Sequence, residues 1–82
     1  MKKLNDTIEL MDSPIYRDRF AAEYWQLVIR YNNLKSMLNR WDRGDLEYEP
    51  VCPRSTYDMQ IKTMVDYIAI LEARAVMEKI KL

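Results

Sequence analysis

Apolar residues return every three or four positions along two long stretches of this chain. In the first, Phe20, Tyr24, Leu27, Tyr31, Leu34, Leu38 and Trp41 step by four and three without a break. That spacing puts them on one side of an α-helix, in the rhythm of helices that cross at a shallow angle. No proline or glycine falls between Pro14 and Gly44. Ser13 as N-cap with Pro14 in the first turn predicts the start, and Gly44 predicts the stop, so a helix is expected over about 14–42. At the helical rise it would be roughly 40 Å long. Trp25, Val28 and Ile29 lie off the stripe, and one partner helix cannot cover that whole width.

The second stretch is "QIKTMVDYIAILEARA". Tyr57, Ile61, Met64, Ile68, Leu71 and Ala75 recur at four and three. Ser55 with Asp58 three residues on has the form of a capping box, and Lys79 and Lys81 suit a helix C-terminus, so a helix is expected over about 55–79. Between the helices runs "RGDLEYEPVCP", a connector over about 43–54 in which Pro50 and Pro53 forbid helix. Its triplet Arg43-Gly44-Asp45 spells an integrin-binding motif, but a glycine there is read first as a helix stop. Asn5 as N-cap, with Leu4, Ile8 and Met11 on one face, predicts a short helix over about 5–11. Two patterned helices joined by a short connector fold back as an antiparallel hairpin. The predicted class is all-α: one domain made of a short N-terminal helix and a long helical hairpin.

Composition adds an expectation of self-association. The chain has 82 residues, of which 49% are hydrophobic, more apolar surface than so short a chain can bury alone. Thirteen basic residues balance thirteen acidic ones, so no overall field favours a DNA or RNA polymer. Small anions remain open to a few local arginines. The sequence has no histidine, one cysteine (Cys52) and one glycine. Cys/His zinc sites, Ser-His-Asp and Cys-His nucleophile systems, an intrachain disulfide and a glycine-rich phosphate loop are therefore excluded within one chain. Nothing points to carboxylate or lysine chemistry. The expectation is a non-enzyme with no cofactor and no metal. No apolar run approaches a membrane span and the N-terminus is too polar for a signal peptide, which points to the cytoplasm.

Three groups of polar residues invite a binding role. Gln60, Thr63, Tyr67 and Arg74 share a row on the second long helix. The row is either a solvent edge or protomer contact, or an anion site in which Arg74 forks onto a phosphate and Tyr67 stacks on a base. Tyr16, Arg17 and Arg19 stand at the start of the first long helix, where the dipole favours acids rather than bases. Pairing of the arginines with Asp18 or Glu23 is the plainer account of them. Arg30, Asn33, Lys35 and Arg40 lie on the less apolar side of that helix, where a solvated face is the ordinary reading. Six methionines fit core and interface filling, and Cys52 reads as a small loop hydrophobe.

Two segments also carry a family likeness. Tyr16, Arg19, Glu23, Leu27, Arg30 and Leu34 follow Y-x-x-R-x-x-x-E-x-x-x-L-x-x-R/K-x-x-x-L. Gln60, Met64, Tyr67, Leu71 and Arg74 follow Q-x-x-x-M-x-x-Y-x-x-x-L-x-x-R. The chain resembles a family of small helical phage proteins that includes the anti-CBASS sponges, which counter a bacterial defence signalled by cyclic oligonucleotides. The resemblance implies a hexamer in the host bacterial cytoplasm that sequesters cyclic dinucleotides, cyclic trinucleotides or both without cleaving them. It implies Tyr16 as a stacking aromatic, and Arg30, or Asn33 in its place, as the cationic or polar partner. It further implies Arg74 as a phosphate contact near an oligomer axis, with Gln60 of related character. This chain departs from the pattern at Asn33, where relatives often carry lysine, and at Trp25, where they are polar.

A second reading is a helical interaction module that binds and blocks a host protein. It requires Trp25, Ile29 and Met37 to form an exposed docking patch.

Overall fold

The computed structural model describes residues 3–82. A 3-10 turn, Leu4–Thr7, runs into α1 (Ile8–Met11), followed by α2 (Tyr16–Asp42) and α3 (Arg54–Met77). Helices are the only regular elements among the described residues, with no strand, so the all-α expectation holds. The molecule is elongated, 43 × 24 × 17 Å. Contacts run in antiparallel register, since Tyr16 meets Glu78 near one end and Asp42 meets Arg54 at the other.

The 4-3 stripes face each other. Phe20, Tyr24, Leu71, Ala75 and Ile80 form the buried cluster, with Trp25, Leu27, Val28 and Ile68 packed against it. Leu38 and Met64 are buried further along the seam. The N-terminal segment packs on α2 alone. Ala22 and Ile29 are buried there, on the side of α2 turned away from the stripe. Thr7 is 1% exposed. Its hydroxyl donates to the Leu4 carbonyl at 2.7 Å and accepts from Gln26 Nε2 at 3.0 Å, so the buried group is satisfied. This corrects the expected face: Ile8 and Met11 stay half exposed at 48% each. It also shrinks the docking patch, since Ile29 is buried and Trp25 and Met37 are partly buried.

The helix ends show which cap signals count. Ser13 is not the N-cap of α2; Ile15 is, in extended conformation. The Ser13 hydroxyl accepts from the Ile15 N–H (3.1 Å) and donates to Asp18 (2.7 Å). That local turn delays the helix by two residues. Likewise Pro53, not Ser55, caps α3, and Asp58 receives Arg54 Nε at 3.0 Å instead of closing a capping box. Arg54 also forks onto Asp42 and lies 5.4 Å over the Trp41 ring, whose edge meets Tyr57. This cluster ties the two helices together where the connector leaves them.

Both long helices end in the same motif. Gly44 N–H bonds to Trp41 O and Asp45 N–H to Arg40 O; Lys79 N–H bonds to Val76 O and Ile80 N–H to Ala75 O. These are Schellman pairs, which need a left-handed residue after the cap. Gly44 supplies it at φ 75°, confirming the helix-stop reading of the Arg43-Gly44-Asp45 triplet, while Lys79 adopts φ 57° with a side chain. The Ile80–Ala75 bond carries Ile80 into the core, which explains why a non-glycine is held there. Two opposite outcomes are expected. Lys79→Gly should stabilise the chain by about 1 kcal/mol, and Gly44→Ala should destabilise it by about 1 kcal/mol. A Cβ on Gly44 meets nothing within 4 Å, so that loss is one of backbone conformation alone. Thermal unfolding followed by circular dichroism reads both.

Candidate functional site

The seven candidate residues fall in separate places. Tyr16 and Arg74 meet at the open end of the hairpin. Arg74 Nη2 donates to the Tyr16 hydroxyl at 3.0 Å and Nε donates to Glu78 at 3.1 Å, while Tyr16 donates to the other Glu78 oxygen at 2.6 Å. The guanidinium lies 5.0 Å over the Phe20 ring. This arginine is paired with Glu78, so a phosphate there would meet a carboxylate beside it. Tyr67, two turns inward, donates to Glu23 of α2. Arg17 is exposed on the first turn with no hydrogen-bond or ion-pair partner among the described residues. The expected Arg17 and Arg19 pairs with Asp18 or Glu23 do not form. Arg19 instead donates to the Ser13 carbonyl at 2.9 Å, because Asp18 and Glu23 are engaged by Ser13 and Tyr67.

Tyr16, Tyr24 and Tyr67 each donate a phenolic proton across the hairpin to a carboxylate: Glu78, Glu72 and Glu23 respectively. Ionising such a phenol sets two negative groups against each other. The hydrogen bond to Glu78 raises Tyr16, and that to Glu23 raises Tyr67. For Tyr24, burial raises it first and Glu72 second. Glu78 is lowered by the bond from Tyr16 and then by Arg74; Asp42 is lowered by Arg54. The sign of the linkage follows. The tyrosines favour the fold fully below their ordinary pKa of 10.0 and lose that contribution as pH rises through the raised values. The carboxylates contribute above their ordinary 3.8 and 4.5 and lose it as pH falls through the depressed values. The urea midpoint should therefore be flat across the neutral range and fall at both extremes. Replacing all three tyrosines by phenylalanine should remove much of the alkaline fall.

Arg30, Asn33 and Gln60 come together elsewhere. With Leu4, Leu34, Met37, Tyr48 and Met64 they line an open groove of about 400 Å³ between the N-terminal turn, α2, the connector and α3. The floor is apolar, and the rim carries two amides, a phenol and one guanidinium. Among the described residues, no acidic one lines it. Arg30 is exposed and has no hydrogen-bond or ion-pair partner among the described residues. A second hollow of about 450 Å³ is lined by Asn5, Asp6, Ile8 and Glu9, whose two carboxylates oppose an anion. Tyr48 and Met37 escaped the sequence reading as groove residues. Tyr48 sits in a connector without periodicity, and no local signal aims it at Arg30.

α3 also keeps an unmatched outer face. Met59, Thr63, Asp66, Ile70, Ala73 and Met77 repeat at four and three, and all are exposed. Ile70 is 57% and Met77 77% accessible. Among the described residues there is no group of three or more histidine, cysteine or acidic side chains placed to hold a metal ion. No helix of the described residues is long and apolar enough to cross a membrane.

The fold is a helical hairpin with a groove bearing one arginine and an exposed outer row in which Thr63 and Asp66 stand among apolar residues. The Sequestin family model matches residues 14–77, which span both long helices and the connector. The chain belongs to the Sequestin family, and the likeness to sequestering proteins read from its sequence stands. No curated protein and no solved structure matches the chain significantly.

Proposed function

We propose that this protein binds and sequesters a cyclic nucleotide messenger, a cyclic di- or trinucleotide of bacterial defence, and leaves it intact. One observation carries the reading: among the described residues, Arg30 stands unpaired in a groove with an apolar floor, two amides and no carboxylate. A guanidinium without a partner is suited to a phosphate, which it meets with two parallel N–H bonds. The amides of Asn33 and Gln60 each offer donors and an acceptor for a base edge. The family name, which speaks of sequestration, agrees with it. Holding a ligand requires no general base, nucleophile or metal.

Self-association belongs to the same proposal. The outer stripe of α3 has the spacing of a helix–helix seam, and a second copy of the chain would cover it. Assembly would multiply the few cations and let neighbouring protomers close over a ligand larger than one groove. Ile70→Glu is expected to lower the mass in solution without unfolding the protomer.

The test is calorimetric titration with cyclic nucleotides of one to three bases. Submicromolar binding by at least one member supports the proposal. Failure of the whole panel, with stoichiometric capture of one host protein, would favour the interaction-module reading instead.

A further inference from the structure

We infer that Tyr48, on the connector, is the base-stacking residue of the Arg30 groove. The inference rests on the proposed nucleotide binding and deepens it. Tyr48 is 59% exposed and makes no hydrogen bond or ring-to-ring contact among the described residues. Tyr31 is half-buried and lines no part of this groove, and the other aromatics of the described residues are engaged differently. Tyr16, Tyr24 and Tyr67 bond to carboxylates, and Phe20, Trp25, Trp41 and Tyr57 make ring contacts. Tyr16 was the expected stacking group, but its hydroxyl and ring edge are held by Glu78, Arg74 and Phe20. Tyr48 instead shares the groove wall with Arg30, Asn33 and Gln60.

These side chains divide a nucleotide between them. Arg30 takes the phosphate and Tyr48 the flat face of the base. Asn33 and Gln60 can reach its edge, while Leu34 and Met64 lie against the sugar or the opposite face. A stacked ring supports any base, because every base presents a π-face. The amides have directed donors and acceptors, so they set the preference among bases. Affinity from the connector and selectivity from the helices are therefore separable.

Adenosine monophosphate and inorganic phosphate are the first probes, followed by NMR of the full chain. Adenosine monophosphate is expected to shift the Tyr48 ring signals upfield and to move the Arg30 guanidinium signals. Inorganic phosphate should move Arg30 alone. In calorimetry with cyclic di-adenosine monophosphate and the rest of the panel, Tyr48→Phe should bind like the parent. Tyr48→Leu and Tyr48→Ala should bind about tenfold or more weakly to every member. Asn33→Ala should instead reorder the panel. An unmoved Tyr48 ring, or a Tyr48→Leu variant that binds like the parent, overturns the inference while the sequestration proposal stands. Absence of binding by the parent to the entire panel overturns both.

Discussion

Leu71→Ala is expected to destabilise the chain by about 2–5 kcal/mol, enough to unfold much of it at ambient temperature. Leu71 is the most enclosed side chain of the structure, at 0% exposure, and lies between Phe20 and Tyr24 of α2 and Ala75 and Ile80 near the chain end. Truncation removes the apolar transfer free energy and leaves a cavity that two stiff helices cannot close. The loss should also release the Schellman turn, since Ile80 is held by the same cluster. Urea unfolding at several protein concentrations measures it. Ile70→Ala is the contrast: one residue earlier and outward-facing, it should change the concentration dependence and leave the protomer's unfolding slope intact.

Arg30→Glu should abolish nucleotide binding, and Arg30→Ala should weaken it by about ten- to a hundredfold, as expected for one charge-assisted phosphate contact. Arg30 has no hydrogen-bond or ion-pair partner among the described residues, so the substitution breaks no bond between them and stability should be unchanged. Arg74 differs. Removing it leaves Glu78 and Tyr16 facing each other at the hairpin end, so Arg74→Ala changes stability as well as charge. A binding defect in Arg74→Ala with none in Arg30→Ala would move the anion site to the Tyr16 end. Glu78→Gln discriminates further, because it frees the guanidinium and would then raise affinity. Binding through Arg30 should weaken as salt rises, since the groove is open to solvent.

The long helices were legible because their physics is periodic. An uninterrupted run from Pro14 to Gly44 with a 4-3 stripe admits little except a helix, and Gly44 marks its own left-handed cap. The stripe on α3 likewise identified Met64, Leu71 and Ala75 as inward-facing. The starts were less legible, because Ser13 and Ser55 have the chemistry of caps and local dihedrals decide which residue caps. Ile29 lies off the stripe, and only the docking-patch reading requires it to be exposed. It is buried because the N-terminal segment docks on that side of α2, a tertiary fact that no period on α2 encodes.

The candidate site was legible only in parts. Tyr16 and Arg74 were both named, but their closure onto Glu78 depends on the Schellman turn that follows Met77. Arg30, Asn33 and Gln60 were also named, on two different helices. What brings them into one groove is the antiparallel register, together with Tyr48 on a loop without pattern. The 4-3 outer row from Met59 to Met77 is not legible as a seam in the sequence, because Thr63 and Asp66 interrupt its apolar character.

The central claim is that ligand is held and not consumed, and recovery measures it most directly. The protein is mixed with less than one equivalent of its tightest panel member, filtered to read the free ligand, then heat-denatured and filtered again. The account predicts almost no free ligand before denaturation and full recovery of the intact cyclic compound afterwards, as judged by mass. A linear product, or free ligand undiminished by the protein, would contradict it.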